Sequence, residues 1–212
     1  MNNKVVFYIG LLGVALFVAA SIIGGILIED YSFISQYISE SYAIDTKYGI
    51  YLRAFFYIPS GILIAIFSFL SFKYFHKSAL TKIGFYGFGI FYGLATVVVG
   101  IFPCDKGCNN DFIDPSLSQL IHSAIGLLTY VFVPICILLI SFGMRKSQDF
   151  NKLSIKAISY GVISILFILL LFSDPTSMYS GLVQRVIEAI FMLWIITCAF
   201  AIRNNLSLGN SA

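Results

Sequence analysis

From Val5 to Ile28 the chain carries no charged residue, and from Ala54 to Phe72 it again carries none. Runs of this length constrain the fold more than any other feature, because a helix needs about 20 apolar residues to cross bilayer hydrocarbon. Hydrocarbon offers no partner to a backbone N–H or C=O, so only helices and closed barrels span it. Barrel strands are excluded, since nothing alternates with period two and the runs are too long. Composition points the same way: 59% of the residues are hydrophobic and 11% charged, against roughly 45–50% and 25% in soluble domains. The first run exceeds the apolar core of a secretory signal, about 7–15 residues, and no small-residue cleavage site precedes Glu29. It reads as an uncleaved span.

Six spans are expected, at Val5–Ile28, Gly49–Phe72, Ile83–Phe102, Leu117–Met144, Ile155–Phe172 and Leu182–Ile202. The fold class is therefore an all-α, polytopic integral membrane protein: one six-helix transmembrane bundle over residues 1–203, followed by a polar tail at 204–212 read as disordered. Lys4, Lys73, Lys77, Lys82, Arg145, Lys146, Lys152, Lys156 and Arg203 fall in one set of loops, nine of the thirteen basic residues. The positive-inside rule places those loops and both termini in the cytoplasm, and the chain in the cell (inner, cytoplasmic) membrane. Of the acidic residues only Asp149 shares that side. The net charge of +3 thus reflects polarisation, and no nucleic-acid partner is implied.

The third span, "IGFYGFGIFYGLATVVVG", is rich in glycine. Gly89 and Gly93 form a small-xxx-small pair that admits another helix closely, within the chain or in a homo-oligomer. Pro59 and Pro134 are expected to kink the second and fourth spans. In the loop 29–48, Phe33, Ile34, Tyr37 and Ile38 share one helical face, which predicts a short helix lying in the outer interface.

The chemistry-bearing residues gather on the outer side. Cys104 and Cys108 lie outside the membrane, where a disulfide is the leading reading; free thiols, or half a zinc site completed by Asp105, Asp111 or Asp114, are the alternatives. His122, within the fourth span, shares a face with Ser118 and Gln119. It is either a functional group or a neutral imidazole satisfied by a neighbouring helix. Arg185 and Glu188, three residues apart on the sixth span, are read as a structural ion pair or a substrate clamp, with Gln184 beside them. Arg53 is placed to meet Glu40 or a lipid phosphate. Glu40, Arg53, Asp105, His122, Arg185 and Glu188 come from different segments yet all fall at outer ends, which predicts a shared polar pocket open to the outer face.

"FISQYISE", "GIFPCDKGC", "LIHSAIG" and "GLVQRVIEAIFMLW", in this order and spacing, resemble a bacterial and archaeal membrane family known as domain of unknown function 998. The resemblance covers essentially the whole chain and implies a six-helix membrane protein with no established activity. Ser39, Glu40, Asp105, His122 and Arg185 match its signature positions. More remotely, "YISE" and the H-x-x-x-G opening of the fourth span are similar to the DRAM/Sfk-type superfamily, associated with membrane lipid organisation, without enough of the pattern to transfer a mechanism.

Two functions follow. The first is binding, without catalysis, of a membrane lipid or another amphipathic ligand by Ser39, Glu40, Arg53, Gln119, His122, Arg185 and Glu188. The alternative is a membrane-embedded hydrolase or transferase acting on a lipid-like substrate, with His122 as general base or metal ligand and Glu40 or Asp105 orienting it. No nucleophile is marked among Ser39, Ser118 and Ser123. No cofactor and no resident metal are expected, since one intramembrane histidine cannot make a bis-His haem site. A transporter is disfavoured by the lack of an inverted repeat.

Overall fold

Three of the six apolar runs wind into helices whose starts are fixed by a side chain. Asn2 Oδ1 accepts from Lys4 N at 2.9 Å, Ser78 Oγ from Thr81 N at 3.0 Å and Ser116 Oγ from Gln119 N at 3.1 Å, each satisfying an N–H that the helix itself leaves unpaired. The computed structural model describes residues 2–109, 111–145 and 147–204. Lys146 and residues 205–212, nearly all of the polar tail, lie outside the described residues. Among the described residues six helices are long and apolar enough to cross a membrane: α1 (Asn3–Ile26), α2 (Gly49–Tyr74), α3 (Ala79–Ile101), α4 (Leu117–Met144), α5 (Gln148–Ser173) and α6 (Ser180–Arg203). Among the described residues there is no strand. The molecule is an all-helical, multi-pass membrane protein.

Each helix packs on its neighbour in sequence, and α6 closes the ring on α1. Polar and small residues make the seams. Ser60 Oγ donates to the Gly13 carbonyl at 2.7 Å, joining α2 to α1. The Ser141 and Ser154 hydroxyls meet at 2.9 Å, joining α4 to α5. At the end that carries both termini, the Arg203 guanidinium sits 4.8 Å over the Phe7 ring, joining α6 to α1. The basic loops lie at this same end. α6 is the most buried helix, with Ile187, Phe191, Trp194, Ile195 and Cys198 in the core, while Leu166, Leu169, Leu170 and many other large apolar side chains face outward, as lipid-facing surfaces do.

The glycines of α3 turn inward. A Cβ on Gly93 would lie 2.5 Å from Ala65 N, and one on Gly84 would lie 2.6 Å from the Cys136 carbonyl oxygen. The close approach read from the third span is thus used between α3 and its neighbours α2 and α4.

The two prolines behave differently. α4 continues through Pro134 as one helix. Before Pro59, residues Arg53–Tyr57 widen into a π turn, which makes room for a ring that would otherwise press on the carbonyl four residues earlier. A second π turn, Gly89–Leu94, interrupts α3 without a proline. Each π turn slips one extra residue into the helix and so re-aims the side chains around it.

The segment between α1 and α2 is not a helix lying in the interface. It folds back across the end of the bundle opposite the termini, with one 3-10 turn, Ile38–Tyr42, whose Ile38 and Tyr42 are buried. The cause is α6: Leu182 N donates to the Ile34 carbonyl at 2.8 Å, and Ser180 Oγ to the Ser35 carbonyl at 2.9 Å. Gly181 lets the Gln36 backbone approach so closely that any Cβ there would overlap it.

Candidate functional site

α4 outlasts its neighbour. Along their seam Ser141 meets Ser154, Leu138 meets Gly161 and Tyr130 meets Phe172. α5 therefore stops about level with Tyr130, while α4 continues for about three and a half further turns to Leu117. On that free stretch Gln119, His122, Ser123, Gly126 and Tyr130 recur at three- and four-residue spacing, share a face, and line a cavity of about 370 Å³. Small-molecule sites range over about 300–1,000 Å³. Phe17 of α1, Tyr57 of α2, Tyr92 and Thr96 of α3, and Gln184 and Glu188 of α6 complete the wall, with Ser39 and Tyr42 laid over the top. Exposed Phe112, Leu127, Phe172, Pro175 and Thr176 form its rim beside the end of α5.

Glu188 is the polar centre of this wall. It is 8% exposed; Tyr92 donates to Oε2 at 2.6 Å and Tyr130 to Oε1 at 3.2 Å. Gln184 Nε2 donates to the Tyr130 hydroxyl at 3.0 Å, and Gln184 Oε1 accepts from Ile38 N at 2.6 Å. From Tyr92 a series of rings runs round the cavity: Tyr92 to Phe17 at 6.3 Å, Phe17 to Tyr57 at 5.5 Å, Tyr57 to Tyr42 at 4.4 Å between centroids. The Tyr57 hydroxyl is buried and has no hydrogen-bond partner. Burial, with the Glu188 charge adding to it, pushes the Tyr42 phenol above its ordinary range, so it stays protonated.

His122 Nδ1 lies 3.0 Å from the Phe102 carbonyl oxygen. A carbonyl only accepts, so Nδ1 carries the hydrogen and a neutral ring presents Nε2 as an acceptor. Its ring stands 6.2 Å from that of Tyr42.

The model of the family described as Protein of unknown function (DUF998) matches residues 11–201. The chain belongs to that family. No curated protein and no solved structure matches it.

Not all the residues singled out in this DUF998 chain come together. Ser39, Gln119, His122 and Glu188 line the cavity; Glu40, Arg53 and Arg185 do not. Arg185 does not pair with Glu188, and no ion pair occurs among the described residues. The reason is geometric. Three residues on a helix leave the two side chains about 60° apart, and Arg185 leans toward the helix start, where acceptors wait. Its Nη1 donates to the Gln36 carbonyl at 2.7 Å and the Gly181 carbonyl at 2.9 Å, and Nη2 to the Tyr31 hydroxyl at 2.6 Å. The guanidinium also lies 5.6 Å from the Tyr31 ring centre and 5.1 Å from that of Phe33. Burial outweighs the Arg185 charge and raises the Tyr31 phenol, so Tyr31 keeps the proton it donates to the Tyr37 carbonyl at 2.7 Å.

Glu40 is likewise committed, accepting from Tyr37 N at 2.8 Å and Gln36 Nε2 at 3.0 Å. Arg53 Nη1 donates to the Tyr42 carbonyl at 3.0 Å, with neither Glu40 nor a second charge beside it. These three residues hold the 27–48 segment over the cavity. The trio His122, Asp105 and Glu40, named for an enzyme, is not assembled: only His122 reaches the cavity.

Cys104 and Cys108 are joined in a disulfide. The Ser39 hydroxyl lies 3.2 Å from Cys108 Sγ, and Ile44 N donates to the Cys104 carbonyl at 3.0 Å, so the small ring packs under the 27–48 segment. The turn is tight: Gly107, Cys108 and Asn109 all have positive φ, at 58°, 58° and 37°. Only the first is a residue that adopts this region freely. Gln119 ties the ring to α4, accepting from Asp105 N at 2.8 Å and donating to the Cys108 carbonyl and the Ser123 hydroxyl at 3.0 Å each. Among the described residues no group of three or more His, Cys, Asp and Glu is placed to hold a metal ion.

Asp105 caps α4. Its Oδ1 accepts from Ser116 Oγ and its Oδ2 from Ser116 N at 2.9 Å, at the positive end of the helix dipole. The Ser116 hydroxyl first, then the Ser116 N–H, holds the Asp105 carboxyl below the ordinary aspartate range. A lowered folded-state pKa contributes stability that is present above the unfolded value, about 4, and lost as pH falls through the folded one. Wild type and Asp105→Asn should therefore differ in thermal stability at neutral pH and converge as the pH is brought below that window. A difference that persists unchanged in acid would show that the carboxylate charge is not the stabilising element.

The sequence reading missed Tyr42, Tyr57, Tyr92 and Tyr130. Tyr130 was accessible, being eight residues from His122 on the same helical face. Tyr57 and Tyr92 lie in the two π turns, where regular helical spacing does not report which way a side chain points.

Proposed function

We propose that this DUF998 chain binds a lipid-like amphiphile in the cavity at the cap end of the bundle. One observation carries this reading: a void of about 370 Å³ has a polar wall at Glu188, Tyr92, Tyr130 and Gln184 and an apolar rim of Phe112, Leu127 and Phe172 at the end of α5. That rim borders the outward-facing apolar surface, so an acyl chain can lie over Leu127 and Phe172 while its polar end reaches inward. The ligand set is narrower than the sequence implies. Ser39, Gln119, His122 and Glu188 face the ligand, and Glu40, Arg53 and Arg185 support the cover.

The orientation belongs to the same proposal. The basic loops gather at the terminus end, which by the positive-inside rule faces the cytoplasm of the cell's inner membrane and sends the cavity to the outer face. A membrane-impermeant maleimide added to intact cells should then label Cys104 and Cys108 only after reduction. Labelling only in lysed cells would reverse the orientation.

Gly126 provides the test of binding. A Cβ there meets nothing within 4 Å and Gly126 lines the cavity, so Gly126→Phe starts its side chain without a backbone clash and fills part of the void. Native mass spectrometry of protein purified in a neutral detergent should show a bound lipid mass in the wild type and its loss in Gly126→Phe. Equal retention by a folded Gly126→Phe variant would remove the cavity as the site.

A further inference from the structure

We infer that the polar end of the ligand is an ammonium group bearing N–H bonds, received by Glu188 and the tyrosines around it. The inference rests on the cavity being an amphiphile site and adds the chemistry of the group that enters.

Glu188 is a carboxylate inside a helix bundle with no cation of its own. Arg185, on the same helix, is turned to the Gln36 and Gly181 carbonyls, and no Lys or Arg lines the cavity. His122, the other non-tyrosine ionisable group on the wall, hydrogen-bonds the Phe102 carbonyl instead. A buried carboxyl without a counter-charge either keeps its proton or meets a cation, and an ammonium group held against Glu188 stabilises its charged form. Tyr92 and Tyr130 use one acceptor position on each Glu188 oxygen. A carboxylate offers about four, so acceptor positions remain for a ligand.

The rings supply the second half of the argument. Tyr42, Tyr57, Phe17 and Tyr92 form a continuous arc, 4.4, 5.5 and 6.3 Å between successive centres. Aromatic faces grouped round a carboxylate attract a cation and repel an anion. The Tyr57 hydroxyl, on a side chain 1% exposed, receives no donor: the Ser41 hydroxyl beside it spends its hydrogen on the Ile38 carbonyl and can only accept. An N–H-bearing ammonium gives Tyr57 and Glu188 the donors they lack, whereas a quaternary one fits the arc and leaves both unused. An anionic headgroup would face Glu188 with no cation to meet it.

The test uses the full chain in dodecyl maltoside micelles at neutral pH, with dodecylamine, dodecyltrimethylammonium, dodecanol and dodecanoate as probes, read by calorimetric titration. Dodecylamine should bind saturably and most tightly of the four, and should weaken by about tenfold or more in Glu188→Gln, a larger factor than dodecanol loses on the same substitution. Tyr57→Phe, which removes only the unpartnered hydroxyl, should weaken dodecylamine several-fold and serves where Glu188→Gln does not fold. Equal dodecylamine binding by wild type and the folded variants, tighter binding of dodecanoate, or dodecyltrimethylammonium binding as tightly as the amine would each overturn the inference. Gly126→Phe separates the two levels. If it abolishes binding of all probes while Glu188→Gln and Tyr57→Phe change none, the amphiphile site stands and the ammonium inference falls. If it abolishes none, both fall.

Discussion

Arg185→Ala is expected to release the 27–48 segment from α6 and to destabilise the chain by about 3–5 kcal/mol. The guanidinium makes three hydrogen bonds, to the Gln36 and Gly181 carbonyls and the Tyr31 hydroxyl, and lies over the Tyr31 and Phe33 rings. Hydrogen bonds from a charged donor contribute about 1.5–3 kcal/mol each, and acceptors left unpaired add to the loss. Two of these partners belong to the segment that carries Ser39 and Tyr42 over the cavity, so the loss is local as well as global. Amide exchange should rise across Gln36–Tyr42, and retained lipid should fall. Arg185→Lys should recover only part of the stability, because an ammonium is a point charge without the planar fork that meets two acceptors at once. A lysine variant as stable as the wild type, or an alanine variant with unchanged exchange over this segment, would mean that something else holds the cover in place.

The second large effect pairs two glycines. Gly93→Leu is expected to cost more than about 3 kcal/mol, at or beyond the upper end for overpacked substitutions, whereas Gly126→Leu should stay within about 1 kcal/mol of the wild type. A Cβ at Gly93 would stand 2.5 Å from Ala65 N and 2.7 Å from Ala65 Cα, and Gly61 returns the contact with its own Cβ position 2.6 Å from the Gly93 carbonyl oxygen. Those neighbours are backbone and cannot swing aside, so α2 and α3 must separate. Separation would also shift Tyr57 and Tyr92, which the adjoining π turns aim into the cavity. Gly126 has no neighbour within 4 Å of its Cβ. Thermal unfolding in detergent distinguishes the two, and similar losses for both would contradict the packing described.

The particular residues show where sequence reasoning reaches and where it stops. Cys104 and Cys108 were legible because two thiols four positions apart outside the membrane are within short covalent reach, and the disulfide forms. His122, Gln119 and Tyr130 share a face because α4 is a regular helix, and helical spacing survives into the structure. Arg185 and Glu188 were also correctly placed near one end of α6, yet their pairing was not legible. Two groups on one helix can meet each other or turn to different elements, and the choice depends on where the 27–48 segment lies. Asp105 had the right address and a different task, since its acceptor role was decided by the N-terminus of α4 coming to rest against the disulfide ring.

By itself, the sequence determined the number of spans, their approximate ends and the all-helical class, because the free energy of placing a segment in hydrocarbon is a nearly additive sum over its own residues and every backbone group must be paired inside it. It also carried the family resemblance that the match over residues 11–201 bears out. Only the tertiary structure decided which polar side chains share a cavity. That choice depends on α4 projecting past the end of α5, on two π turns that re-aim Tyr57 and Tyr92, and on a clasp between Arg185 and a segment some 150 positions away. Each of these is a relation between elements, set by how helices of unequal length and altered winding pack together. Hydropathy and spacing along one helix hold no record of it.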